Sequence, residues 1–145
     1  MPDKTRFPTR RLAIVTCMDC RINPLVTEGL QEGEAHIIRN AGAVITADVR
    51  RSLALSQRAL KTREVWIVMH TDCGVLGLDD HAFLDAIEED AGERPDWVPG
   101  GFESLEVGIR EGVERVRNDP VLLSSVVRGF ILDIETNEMT EVVNA

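Results

Sequence analysis

Three short apolar runs constrain this chain more than any other feature: LAIVTCM at 12–18, AHIIRN at 35–40 and EVWIVMH at 64–70. Runs of this length, rich in β-branched residues, read as strands, and the first as a buried one. A polar segment centred on Glu28–Glu34 separates the first two. Behind Thr46, a candidate N-cap, ITADVRRSLALSQRALKTR (45–63) repeats Val49, Leu53, Ala54, Ala59 and Leu60 at helical spacing. Asp79 or Asp80 can cap a second helix over HAFLDAIEEDAG, which stops at Gly92. ERPDWVPGG reads as a loop. Residues 103–118 carry Leu105, Ile109, Val113 and Val116 at helical spacing, ending before Pro120. The closing VVRGFILDIETNEMTEVV reads as a strand, a turn at Thr136-Asn137 and a return strand. Strands that alternate with helices specify an α/β fold: a mostly parallel central sheet flanked by helices, with an antiparallel hairpin at its C-terminal edge. No repeat or linker divides the chain, so residues 1–145 are expected to form a single domain.

Charge and cysteine usage narrow the function classes. The net charge of -9, from 16 basic and 25 acidic residues, disfavours nucleic acid and anionic membrane, both of which select a basic footprint. Only 4% of the residues are aromatic, which argues against base-stacking platforms. No run approaches the roughly 20 apolar residues that span a bilayer, and the lead MPDKTRFPTRR has no apolar segment behind its basic residues. Three cysteines in two distant places do not make a disulfide framework. They fit a reducing, cytoplasmic compartment in which thiols bind metal or react.

In open α/β sheets the functional groups collect at the carboxyl ends of strands. The first strand end carries Cys17, Asp19, Cys20 and Arg21, and the third carries His70 and Cys73. If the backbone stays extended, Cys17, Asp19 and Arg21 share one face and Met18 and Cys20 the other. On that reading the visible C-x-x-C is less informative than C-x-D-x-R. Two thiolates and an imidazole from Cys17, His70 and Cys73 make a good zinc set, and three ligands leave a fourth position open. Cys20 would supply the fourth only by turning against the alternation. Asp72 is expected to cap its turn, and His36 and His81 to be structural or exposed.

Taken together, CMDCR (17–21), RNAGA (39–43) and HTDCG (70–74) resemble the β-class carbonic anhydrases, in order and in rough separation. The C-terminal hairpin extends the resemblance over nearly the whole chain. The wording HTDCG and the short length are most similar to the compact branch of that family, which also contains carbonyl sulfide hydrolases and, more distantly, carbon disulfide hydrolases.

The resemblance implies one catalytic Zn2+ per subunit on Cys17, His70 and Cys73, and reversible hydration of CO2 to bicarbonate by zinc-bound hydroxide. Asp19 would either fill the fourth zinc position or accept a hydrogen bond from the bound water, and Arg21 would draw it away from the metal. Asn40, Ala41, Gly42 and Gly74 would line a small substrate pocket. The active unit would be a homodimer or homotetramer. Two readings compete. The first is a COS hydrolase on the same site; the second is a non-enzymatic zinc or thiol sensor using Cys17 and Cys20. Two departures from the family stand out. Cys20 occupies a position that is usually small, often Ser, and with no Tyr in the chain the pocket Tyr of plant-type members is absent.

Overall fold

The computed structural model describes residues 4–27, 29–123 and 126–145. Residues 1–3, which head the basic lead, and Glu28 of the polar segment lie outside them. The strands are β1 (Leu12–Cys17), β2 (Ala35–Asn40), β3 (Glu64–His70), β4 (Val126–Leu132) and β5 (Met139–Val143). The helices are α1 (Pro24–Thr27), α2 (Ala47–Arg58), α3 (Asp80–Ala91) and α4 (Leu105–Arg117). The sheet order is β2-β1-β3-β4-β5, parallel except for the antiparallel β4–β5 pair. This is the α/β architecture expected from the alternating pattern.

β1 is the strand on which the arrangement turns. Each of its six residues is buried, and it is hydrogen-bonded to β2 on one side and β3 on the other. A strand covered on both faces is nearly continuously apolar, which is why LAIVTC, with Thr16 its one polar residue, runs without alternation. α2 packs on β1 and β2, and α4 on β3 and β4. Two glycines let α4 approach the sheet closely. A Cβ at Gly108 would stand 3.0 Å from Met69 Sδ, and one at Gly112 would stand 3.3 Å from Ile67 Cδ1.

The helix caps follow the expected chemistry. Thr46 Oγ1 accepts from the Val49 N–H, Asp79 from the Ala82 N–H and Ser104 from the Val107 N–H. Asp79, not Asp80, is the cap of α3. Asp80 lies inside the helix and accepts the N–H groups of Gly100 and Gly101 across the loop. α3 ends at Gly92 in the left-handed conformation, φ 75°. The helix expected within 45–63 is shorter than its apolar pattern: α2 stops at Arg58, and Leu60 and Lys61, the latter at φ 68°, lie beyond it. Apolar spacing persists past the helix end because Leu60 still turns toward the sheet edge, where it lines a shallow cleft with Ile38 and Leu55. No helix among the described residues is long and apolar enough to cross a membrane.

The tightest point between helix and sheet is Gly129 on β4. A Cβ there would fall 2.3 Å from Ile109 Cγ2, and Ile109 is fully buried on α4. Gly129→Ala is therefore expected to lower stability by about 1–3 kcal/mol through overpacking, read as a fall in the urea midpoint at unchanged slope.

Candidate metal centre

The parallel pairing of β1 with β3 sets two strand ends side by side. β1 ends at Cys17 and β3 at His70, and the loop after β3 returns Cys73 to the same place. The ligand atoms of Cys17, His70 and Cys73 all lie within 4.8 Å of one another, and all three residues are buried. Among the described residues this is the group of His, Cys and acidic side chains placed to hold a metal ion. Cys20 stands outside it and is exposed, and the three cysteines are free.

His70 has a defined tautomer. Its Nδ1 lies 2.7 Å from the Thr71 carbonyl, which can only accept, so Nδ1 carries the proton. Nε2 is buried and, among the described residues, has no hydrogen-bond partner, so in the neutral ring it is a free lone pair. A backbone carbonyl on one imidazole nitrogen and a free lone pair on the other is the usual orientation of a metal-ligating histidine. The two thiols interact strongly. The Cys73 thiol, then His70 and the N–H groups of Gly42 and Asp19, lower the Cys17 pKa despite its burial. The Cys73 thiol is raised by its bond to Cys17 and by burial. For His70, burial pulls the pKa down, but Cys17, the Thr71 carbonyl and Asp19 together outweigh it and raise it.

Asp19 and Arg21 meet, but not by strand alternation. The extended run ends at Cys17, and the chain turns. Asp19 Oδ1 accepts the Arg21 N–H at 2.8 Å, and the Asp19 carbonyl accepts the Ile22 N–H at 3.1 Å. The Arg21 guanidinium then grips the same carboxylate, Nε to Oδ1 at 3.0 Å and Nη2 to Oδ2 at 2.8 Å. These bonds hold the Asp19 carboxyl well below the usual carboxylate range. Asp19 Oδ2 lies 3.8 Å from His70 Nε2, at the edge of the ligand group.

The residues expected to line a substrate pocket divide into three roles. The Gly42 N–H points at Cys17 Sγ, 3.3 Å away, from a backbone at φ 87° that suits glycine. Asn40 closes the loop on itself, its amide donating to the Val44 carbonyl at 2.8 Å and accepting the Val44 N–H at 3.1 Å. Ala41 and Gly74 are exposed, and a Cβ at Gly74 would meet nothing within 4 Å. A cavity of about 530 Å³ lies elsewhere, among Val44, Met69, Trp97, Phe102, Gly108 and Arg115, and neither Cys17, His70 nor Cys73 lines it. One side chain escaped the sequence reading and another has a different role from the one expected. Arg39 donates to the carbonyls of Cys17 and Asp19, each at 2.9 Å, and Asp72 binds Arg21 instead of capping its turn. His36 is hydrogen-bonded to Ser56 at 2.7 Å, away from the site.

The family described as carbonic anhydrase matches residues 12–111. The chain belongs to the β-carbonic anhydrase family. It is 44% identical over 136 residues to beta-carbonic anhydrase 1 of Mycobacterium bovis, covering 93% of this chain and 83% of that protein. It is 31% identical to the carbon disulfide hydrolase of Acidianus sp., covering 90% of this chain and 76% of that one. The crystal structure of carbonic anhydrase from Streptococcus mutans superposes with a TM-score of 0.88 at 36% identity, over 94% of this chain and 83% of that chain. The relatives are lyases and hydrolases, and this β-carbonic anhydrase family member is an enzyme.

If the three buried donors form the metal centre, each is needed and Cys20 is not. Cys20→Ser is expected to keep one zinc per chain, and Cys17→Ser, His70→Ala and Cys73→Ser to lose it, as measured by metal analysis after gel filtration.

Proposed function

We propose that this chain is a zinc-dependent carbonic anhydrase that interconverts CO2 and bicarbonate, with residues 1–145 acting as one catalytic unit. Cys17, His70 and Cys73 are its metal ligands, and Asp19 and Arg21 complete the site. The observation that carries this reading is the buried Nε2 of His70, which has no hydrogen-bond partner among the described residues, beside two buried thiols. A buried polar atom left unpaired costs about 1–3 kcal/mol, and a cation at this point removes that cost. Two soft sulfur donors and one imidazole fit zinc, and three ligands fit a catalytic rather than a structural site. Zinc held there supplies a Lewis acid that lowers the pKa of water from about 15.7 towards 7.

The chain's own groups divide the remaining work. The Arg21 bonds keep Asp19 ionised, so its carboxylate acts as a hydrogen-bond acceptor and not as a proton donor at neutral pH. Placed 3.8 Å from His70 Nε2, it can accept a bond from a water molecule at the ligand group and fix its orientation. The Gly42 N–H on Cys17 tempers the charge that the thiolate carries.

Carbonyl sulfide hydrolysis is the second reading, supported by the carbon disulfide hydrolase relative. Water adds to the same carbon, and the products are CO2 and hydrogen sulfide. A sensor built on Cys17 and Cys20 has less support, because Cys20 is exposed and outside the ligand group. We also propose a homodimer or homotetramer in the cytoplasm. α3 buries none of its residues, and Phe83, Trp97 and Val98 are exposed on or after it. Three free thiols suit a reducing compartment.

Stopped-flow CO2 hydration on zinc-loaded protein tests the proposal. Turnover well above buffer at about pH 8, lost on chelation and restored by zinc, is expected. A rate no better than buffer would refute it, and sulfide release from COS far exceeding CO2 turnover would replace it with the second reading.

A further inference from the structure

Arg21 spans two loops. One side of its guanidinium holds Asp19, after β1. The other side donates from Nη1 to Asp72 Oδ2 at 3.1 Å, and Nη2 also reaches the Asp72 carbonyl at 3.0 Å. Asp72 sits between His70 and Cys73. The bridge therefore ties the loop that follows Cys17 to the loop that carries the other two donors.

We propose that Asp72 is a positioning residue: its carboxylate anchors Arg21 to the His70–Cys73 loop and thereby fixes where Asp19 stands relative to the ligand group. This rests on the reading of Cys17, His70 and Cys73 as the metal centre. Asp19 and Arg21 are two residues apart in one turn, so their mutual grip says nothing about their distance from β3. Arg39 holds the Asp19 carbonyl from β2, and the contact across the loops ties the Asp19 carboxylate, through Arg21, to the segment after β3. Asp72 suits the task because its backbone is left-handed, φ 56°, a conformation uncommon outside glycine, from which its carbonyl and carboxylate both reach one guanidinium. The loop beneath it is held as well. The Thr71 N–H donates to the Leu132 carbonyl at 3.0 Å, and Thr71 Oγ1 accepts the Ile134 N–H at 2.9 Å. An arginine is required between two carboxylates, because its planar fork offers donors on two sides and an ammonium does not.

Stability does not account for the bridge. The Asp72 side chain is 81% exposed and that of Arg21 44%, and ion pairs so exposed contribute little to folding. A turn-capping role is not seen either, since among the described residues the Asp72 carboxylate is bound by Arg21 and by no backbone N–H. What remains is geometry, where a displacement of about 1 Å can cost on the order of 10²-fold in rate.

The test compares Asp72→Ala and Asp72→Asn with the parent protein, all zinc-loaded, by CO2 kinetics, by thermal melting, and by hydrogen exchange of the Arg21 Nη1 hydrogens, which donate to Asp72, in nitrogen-15 spectra. Asp72→Ala is expected to lower kcat about tenfold with KM within about twofold. Its melting temperature stays unchanged and the Arg21 Nη1 hydrogens exchange faster. Asp72→Asn, whose amide oxygen still accepts from Nη1, recovers most of kcat and of the protection. Unchanged kcat and exchange in Asp72→Ala would overturn the inference, as would a loss of kcat that follows melting temperature and is not rescued by asparagine. If the parent protein hydrates no CO2, the functional reading fails on its own. The exchange comparison, which needs no turnover, still decides whether Asp72 anchors Arg21.

Discussion

A buried imidazole nitrogen with no hydrogen-bond partner among the described residues, beside two buried thiols, is the constraint around which the rest of this molecule is arranged. Such a group is costly in a closed interior unless a cation satisfies it. Bringing the three donors together is the task of the sheet. Cys17 and His70 are far apart in the chain, and they meet because β1 is hydrogen-bonded to β3 in parallel register. Parallel pairing puts both carboxyl ends on one edge, where loops are free to carry polar chemistry. The donors are buried while Asp19 and Arg21 remain partly open to solvent, so the site has a closed floor and an accessible rim.

Each shell around the donors rests on the next. The Thr71 carbonyl sets the His70 tautomer, and the Gly42 and Asp19 N–H groups favour the Cys17 thiolate. Arg39 fixes the carbonyls on either side of Met18, which holds the first strand end in place. Further out, Gly108 and Gly112 let α4 press on Met69 and Ile67 of β3, so the strand that carries His70 is gripped from its helical face. The acidic balance of the chain, -9 overall, is carried mostly by exposed residues and leaves the local chemistry to the arginines at the rim.

Much of this was legible in the sequence, for identifiable reasons. Strands buried on both faces must be apolar without interruption, so β1 and β3 announced themselves, and their ends directed attention to Cys17, His70 and Cys73. Capping chemistry is local, so Thr46 and Asp79 could be read from residues three apart. What could not be read depended on contacts across the fold. Side-chain alternation placed Asp19 with Arg21 for the wrong reason, since the strand ends at Cys17 and a turn does the work. Asp72 looked like a turn residue because its partner lies 51 positions away. Arg39 carried a faint signal, a charged residue inside an otherwise apolar strand, but its two carbonyl partners belong to another loop.

X-ray absorption at the zinc edge of the loaded protein tests the central claim most directly, because it counts donors without reference to turnover. Coordination by Cys17, His70 and Cys73 predicts two sulfur scatterers at about 2.3 Å and two nitrogen or oxygen scatterers at about 2.0–2.1 Å, one with imidazole multiple scattering. Three sulfurs, which would draw in the exposed Cys20, or a shell of nitrogen and oxygen alone, would contradict the account.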